Sequence, residues 1–307
     1  MTKVRKKKKP VQGLGLKYRG ISSRTRQRYE RQITVFFNYL TRHSITLPST
    51  YRKLDELLSS YVDHMFLDDE PIGYAGDLIS AFSRFLPGCR LLIPVTRLWF
   101  RNWQREVVRV RALPIPAKVV KGLAGMALAL GRRDLAALIP LGFLCVLRTG
   151  ELLALRPADI TFSPFGSKAI VQLLQTKTSG PNTEETVLED AKVVQALKDA
   201  CKDVQPQEPI YTRPSRFLGE DLRWLASLVG FKHKRFTPYS LRRGGATWHF
   251  HKFGSLNKTC MAGRWKHERT AKIYIDGAAA EWMNWQFTRD GDKMLKRGGE
   301  MFSRNFS

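Results

Sequence analysis

Thr237-Pro238-Tyr239-Ser240-Leu241-Arg242-Arg243-Gly244-Gly245-Ala246-Thr247 is followed at short range by Gly263-Arg264-Trp265-Lys266 and then by Tyr274-Ile275-Asp276. One stretch thus supplies fixed cations, an indole and a phenol among segments of helical pattern. A tyrosine by itself is usually core or surface filler. Tyr274 gains weight from a second block upstream, Val146-Leu147-Arg148-Thr149-Gly150-Glu151-Leu152-Leu153-Ala154-Leu155-Arg156. Always-charged guanidinium forks beside a nucleophilic phenol suit chemistry on a phosphodiester.

The composition agrees with a polyanionic partner. Among 307 residues, 52 Lys+Arg stand against 27 Asp+Glu, a net charge of +25. So large a positive field favours nucleic acid, because each neutralised phosphate releases condensed counterions; an anionic membrane surface or a ribosomal setting would explain the charge but not the two blocks. Hydrophobic residues make up 43% of the chain, enough for a buried core, and the length favours two domains. Cys89, Cys145, Cys201 and Cys260 are widely spaced, with no C-x-x-C pair, the usage of a reducing compartment. No apolar run reaches the ~20 residues of a membrane helix, so no membrane partner is expected. The basic cluster Lys3-Val4-Arg5-Lys6-Lys7-Lys8-Lys9-Pro10 reads as an import signal or a phosphate-binding arm, or as a plain solubilising tail. The expected location is the nucleus in a eukaryote and otherwise the cytoplasm with DNA.

Periodicity predicts a chain that is mainly α with a small β-sheet. A basic arm (1–20) precedes an all-helical domain (21–111), with helices near 22–42, 51–66, 73–86 and 95–111. In the fourth, Trp99, Trp103, Val107 and Val110 are expected to face inward. Arg97, Arg101, Arg105 and Arg109 recur every four residues and form a drifting stripe, either laid along a DNA backbone or simply a solvated face. Arg111-Ala112-Leu113-Pro114-Ile115-Pro116 reads as an extended linker. A mixed α+β domain (112–290) follows, with buried helices, three short strands near 159–163, 169–175 and 185–188, and further helices to an aromatic segment containing Trp282 and Trp285. Residues 291–307 read as a mobile tail.

With these elements in place the chain resembles the tyrosine recombinase (phage integrase) superfamily over its whole ordered length: a helical core-binding domain, a linker, and a mixed catalytic domain. Arg148-Thr149-Gly150-Glu151-Leu152 matches the first arginine motif, R-x-x-E-L. Tyr239-Ser240-Leu241-Arg242 matches the second, usually H-x-L-R. Trp265 falls at the His-or-Trp position, and Tyr274 stands at the family's separation from it for the nucleophile. The phrase Ser240-Leu241-Arg242-Arg243-Gly244-Gly245-Ala246-Thr247 looks most like recombinases of eukaryotic mobile elements of the Crypton and DIRS types.

The resemblance implies a site-specific recombinase that cuts and rejoins DNA through a 3′-phosphotyrosine, with no metal or cofactor. Tyr274 is then the nucleophile, while Arg148 and Arg242 hold the charge of the phosphorane. Lys177, in the hairpin between the second and third strands, is the general acid for the leaving 5′ oxygen. Trp265 donates its indole N–H or braces the pocket, and Glu151 is expected to hold Arg148 or a helix end. Tyr239 departs from the family's His: a phenol with an ordinary pKa of about 10 is a poor base but can donate to a phosphate oxygen. Arg243 is expected to add charge on the DNA. Duplex DNA is the implied partner, bound by a homotetramer on two sites, with the segment 282–287 docking on a neighbour. Two alternatives stay open: a DNA-binding protein of this fold that no longer reacts, and an enzyme like the type IB topoisomerases. A zinc site from His249, His251, Cys260 and His267 has no familiar ligand spacing.

Overall fold

The computed structural model describes residues 20–86, 88–108, 110–164, 166–173, 184–233 and 235–306. The chain divides into two units, Met1–Arg109 and Val110–Ser307. Among the described residues it is mainly α-helical with one small sheet.

The first unit comprises α1 (Ser23–Arg42), α2 (Tyr51–Leu67), α3 (Ile72–Phe85), the single turn α4 (Cys89–Leu92) and α5 (Pro94–Glu106). Apolar residues at helical spacing, among them Phe36, Leu58, Leu78 and Ile93, meet in its core. Polar contacts fix how the helices pack. The Arg28 guanidinium on α1 forks onto Asp77 of α3. The buried Asp55 carboxylate of α2 accepts from the backbone N–H groups of Val95 and Thr96 at 2.9 and 2.8 Å, and from the Thr96 hydroxyl at 2.6 Å. A side chain from another helix therefore caps α5, whose opening Pro94 has no N–H that needs an acceptor.

That cap sets the rotation of α5 and corrects two expectations. Thr96 and Trp103 face inward, whereas Trp99 is largely exposed. The helix also ends at Glu106, so Val110 lies beyond it and is exposed.

The second unit begins with α6 (Ala117–Ala129), α7 (Arg133–Leu144) and the short α8 (Thr149–Ala154). A 3-10 turn (Pro157–Asp159) leads into β1 (Ile160–Phe162), β2 (Ala169–Leu173) and β3 (Glu184–Leu188). The strands form an antiparallel sheet in the order β1-β2-β3, with Ile160 opposite Val171 and Ala169 opposite Leu188. Ala169, Val171 and Leu173 alternate into the core, as the two-residue strand period requires. Then follow α9 (Ala191–Cys201), α10 (Phe217–Leu228), α11 (Tyr239–Phe253), α12 (Leu256–Gly263), α13 (Glu268–Tyr274), α14 (Gly277–Trp285) and α15 (Arg289–Asn305).

The presumed tail is thus a helix. Leu295 and Phe302 are buried in the core of the second unit. Three glycines let α15 lie backbone to backbone on α6: a Cβ on Gly125 would sit 1.7 Å from the Gly298 carbonyl oxygen, and one on Gly298 would sit 2.4 Å from that of Gly122. Glycines make the closest part of the contact, and Leu295 packs beside them on Gly122.

Candidate active site

The site is built where α11 meets the α7–α8 connection. Gly244 and Gly245 make the approach possible. A Cβ on either would lie 2.1 Å from a carbonyl oxygen, that of Ile115 or that of Phe143. Held this closely, α11 places Arg242 entirely out of solvent. Its Nη1 donates to the Val146 carbonyl and its Nη2 to that of Gly263 at 2.8 Å, while its Nε has no hydrogen-bond partner among the described residues. Burial, and then the neighbouring cations Arg148 and Arg264, pull the guanidinium below its ordinary pKa.

Val146 itself has φ 48°, a left-handed conformation that is strained for a β-branched residue. The strain turns the chain so that the Val146 carbonyl meets Arg242 and Arg264 while Arg148, two residues on, starts α8. Glu151 in the first turn of α8 accepts from the Arg148 backbone N–H at 2.8 Å and pairs with its Nη1 at 2.5 Å. The other oxygen of Glu151 also takes Arg264 Nη2 at 2.7 Å. Glu151 therefore holds two guanidinium groups in addition to the helix end.

Arg264 is the residue that sequence reasoning missed. It is the left-handed residue after α12, with φ 54°. A glycine would ordinarily fill that position, and Gly263 stands one place early. Gly263 is needed where it is, because a Cβ there would lie 2.2 Å from the Trp265 ring. The left-handed turn consequently falls on Arg264. Its nearly buried side chain donates to the Cys145 carbonyl at 3.0 Å, and its Nε lies 3.3 Å from Glu184 at the start of β3. Glu184 is also 3.8 Å from Arg148. The one available signal was the arginine in a stretch where the chain must turn.

Tyr274 ends α13. Its ring packs on Trp265 with centroids 4.5 Å apart, and Arg242 lies over both rings, at 4.8 Å from the Trp265 centroid and 5.4 Å from that of Tyr274. The Tyr274 hydroxyl is hydrogen-bonded to the Tyr239 hydroxyl. Burial, followed by that hydrogen bond, pushes the Tyr239 phenol up to about 12, with Arg242 and Arg148 pulling the other way. The chain just past Tyr274 is tied to α11: Thr247 Oγ1 accepts from the Asp276 N–H at 3.1 Å, and Arg243 Nη2 donates to the Asp276 carboxylate at 3.2 Å.

Arg243, expected on the DNA, is thereby corrected. It is buried, and its Nη1 donates to the Ala112 carbonyl at 2.6 Å, which makes it a strut between the linker and the Tyr274 turn. The structure brings together Arg148, Arg242, Trp265, Tyr239 and Tyr274. Lys177 and Arg109 lie outside the described residues. Arg97, Arg101 and Arg105 line one side of α5, Arg101 and Arg105 being exposed. With Arg84 and Arg90, Arg97 and Arg101 surround a groove of about 550 Å³ in the first unit. In α14 Met283 is buried, Trp282 lies edge-on to His233 and Trp285 is exposed, while Phe287 packs against Phe231. Among the described residues no three His, Cys, Asp or Glu side chains gather as a metal site.

No family profile matches the sequence and no curated protein resembles it. Solved structures do resemble it. A lambda integrase(75-356) dimer bound to a COC' core site is similar with a TM-score of 0.58 at 15% identity, over 86% of this chain and 93% of that one. The Tn1549 transposon integrase in complex with transposon right end DNA gives 0.56 at 12%, over 87% and 94%. A lambda integrase tetramer bound to a Holliday junction gives 0.52 at 16%, over 84% and 73%. The chain has the tyrosine recombinase fold.

Proposed function

We propose that this protein is a site-specific DNA recombinase that breaks and rejoins strands through a 3′-phosphotyrosine at Tyr274. The observation that carries the reading is the gathering of Arg242, Trp265 and Tyr239 on Tyr274, with Arg148 close enough to act electrostatically on Tyr239 and Arg242. The residues come from separate motifs of the sequence. The likeness to DNA-bound integrases supports duplex DNA as partner, and the tetrameric neighbour supports a tetramer on two sites.

In this reading the phosphate enters between Arg148 and Arg242. Their charge offsets the extra negative charge on the non-bridging oxygens of the phosphorane. Tyr274 Oη forms the bond to phosphorus as the bond to the 5′ oxygen breaks, and Lys177 supplies that oxygen with a proton. Attack by the 5′ hydroxyl of a partner strand reverses the sequence, so the bond energy stays in the phosphotyrosine and no nucleotide is consumed. Trp265 keeps the Tyr274 ring against Arg242. Arg97, Arg101 and Arg105 bind backbone phosphates.

Protein–DNA adducts that survive SDS, formed on nicked duplexes from the flanks of the protein's own gene, test the reading. Wild type forms them and Tyr274→Phe does not. Binding without adducts across a broad DNA library would support the unreactive binder instead. That alternative draws on Tyr239 at the family's His position. Plasmid relaxation without recombinant products would indicate topoisomerase-like chemistry.

A further inference from the structure

Tyr239 occupies a position where a proton acceptor would be the natural choice, yet its hydroxyl lies against the nucleophile. We propose that Tyr239 is a catalytic residue that donates its hydroxyl hydrogen bond to the oxygen of Tyr274 and so stabilises that oxygen as it becomes the attacking phenolate. This inference rests on the assignment of Tyr274 as nucleophile.

The geometry is the first support. Tyr239 opens α11 and Tyr274 closes α13, and their hydroxyls meet directly, with ring centroids 5.7 Å apart. The surroundings supply the second. Among the described residues, the cations that act on the pair are Arg242, from the same helix as Tyr239, and Arg148, at the start of α8. Behind these cations stand Glu151, Glu184 and Arg264, already paired with one another and with Arg148. Asp276, beyond Tyr274, is occupied by Arg243. The charged groups that act on Tyr239 are the guanidinium groups of Arg242 and Arg148, so the pair sits in a cationic field that favours one negative charge.

Which phenol carries the charge is decided by the reaction: Tyr274 is the one assigned to attack phosphorus, which leaves the Tyr239 hydroxyl as the donor across their hydrogen bond. Tyr239 is pushed up to about 12, chiefly by burial and then by its bond to Tyr274. It therefore remains a protonated donor at neutral pH. A hydrogen bond donated to an ionised acceptor favours the ionised form. The proton of Tyr274 passes to solvent as Oη bonds to phosphorus, the P–O5′ bond breaks, and the 5′ oxygen takes its proton from the general acid assigned above. Tyr239 changes neither its bonding nor its charge.

The test is the pH dependence of adduct formation by the full-length protein on a suicide nicked duplex, in wild type, Tyr239→Phe and Tyr239→His. Loss of one hydrogen bond to a charged acceptor predicts a rate about 10- to 100-fold lower in Tyr239→Phe, with the alkaline rise of the profile displaced upward by about 1–2 pH units. Tyr239→His, which restores a donor, recovers part of the rate. Ultraviolet difference titration of the free protein gives a second readout: the ionisation lost in Tyr274→Phe moves to higher pH in Tyr239→Phe. An unchanged profile and titration in Tyr239→Phe would overturn the proposal. A faster Tyr239→Phe would overturn it too, showing a latch rather than a donor. Should wild type form no adduct on any DNA, the strand-cleavage reading fails, while the titration still decides whether Tyr239 acts on Tyr274.

Discussion

Arg264 sets two opposing effects on one residue, and replacing it separates them. A non-glycine residue in the left-handed region costs about 1–2 kcal/mol. Arg264 accepts that cost at φ 54° and brings a guanidinium to Glu151 at 2.7 Å and to the Cys145 carbonyl at 3.0 Å, with Glu184 3.3 Å from its Nε. Removing one member of a buried ion pair costs about 3–5 kcal/mol. Here the lower end applies, because Arg148 remains beside both carboxylates. Arg264→Ala loses the pairing and keeps the backbone strain, and is expected to destabilise by about 3 kcal/mol. Arg264→Gly loses the same pairing but relieves the strain. Part of that relief is offset by the greater freedom of glycine in the unfolded chain, about 0.4–1 kcal/mol. Glycine should therefore be the more stable variant by about 0.5–1 kcal/mol, the reverse of its usual rank below alanine. Urea unfolding of the two variants against wild type measures both differences. An alanine variant at least as stable as the glycine variant would refute the strained backbone. A glycine variant as stable as wild type would show that the guanidinium bridges contribute no more than the strain relief, about 0.5–1 kcal/mol. Both variants should also form adduct more slowly, because Glu151, which holds Arg148, loses its second cation.

Other perturbations have equally defined outcomes. Gly125→Ala places a methyl 1.7 Å from the Gly298 carbonyl and must push α15 off α6, so hydrogen exchange should show lost protection across residues 289–305. The buried Asp221 is pushed up by burial, but hydrogen bonds from Arg132 and Tyr211 outweigh this and hold it below the usual carboxylate range. Because its folded pKa is depressed, its contribution is present above the unfolded value of about 3.9 and is lost as pH falls through the folded one. Asp221→Asn should thus cost about 3 kcal/mol at neutral pH and progressively less below about pH 4, read from urea unfolding. Replacing Arg97, Arg101 and Arg105 together by alanine should lower the slope of log affinity against log salt by about 0.9 for each phosphate contact removed, leaving adduct chemistry at saturating DNA intact.

Much of the architecture is legible because buried side chains repeat at the period of their element. Phe36 and Leu40, or Leu54, Leu58 and Met65, mark helix faces, and Ala169, Val171 and Leu173 mark a strand. What escapes the sequence is burial achieved without apolar mass. The inner face of α15 is Gly291, Leu295, Gly298 and Phe302, half of it glycine, so its buried apolar side chains stand seven residues apart in an otherwise polar, charged segment. In α5 the buried Thr96 is polar, and its inward position depends on Asp55 from another helix. The meeting of Arg148, Arg242, Trp265 and Tyr274 is foreshadowed by motif order and spacing. The division of labour between Arg242 and Arg243 is not: the two are chemically identical neighbours, and only the packing of α11 sends one to the Tyr274 ring and the other to Asp276. The role of Arg264 is hidden because it depends on the Trp265 ring requiring glycine at 263.

In the proposed reaction Tyr274 takes up the 3′-phosphate side of a broken strand. The most direct measurement is peptide mapping of the SDS-stable adduct formed on a nicked duplex labelled separately on either side of the break. The label on the strand ending in the 3′-phosphate should stay with the peptide containing Tyr274, and the other strand should be released with a free 5′ hydroxyl. Label retained through a 5′-phosphate, or attached to any other residue, would contradict it.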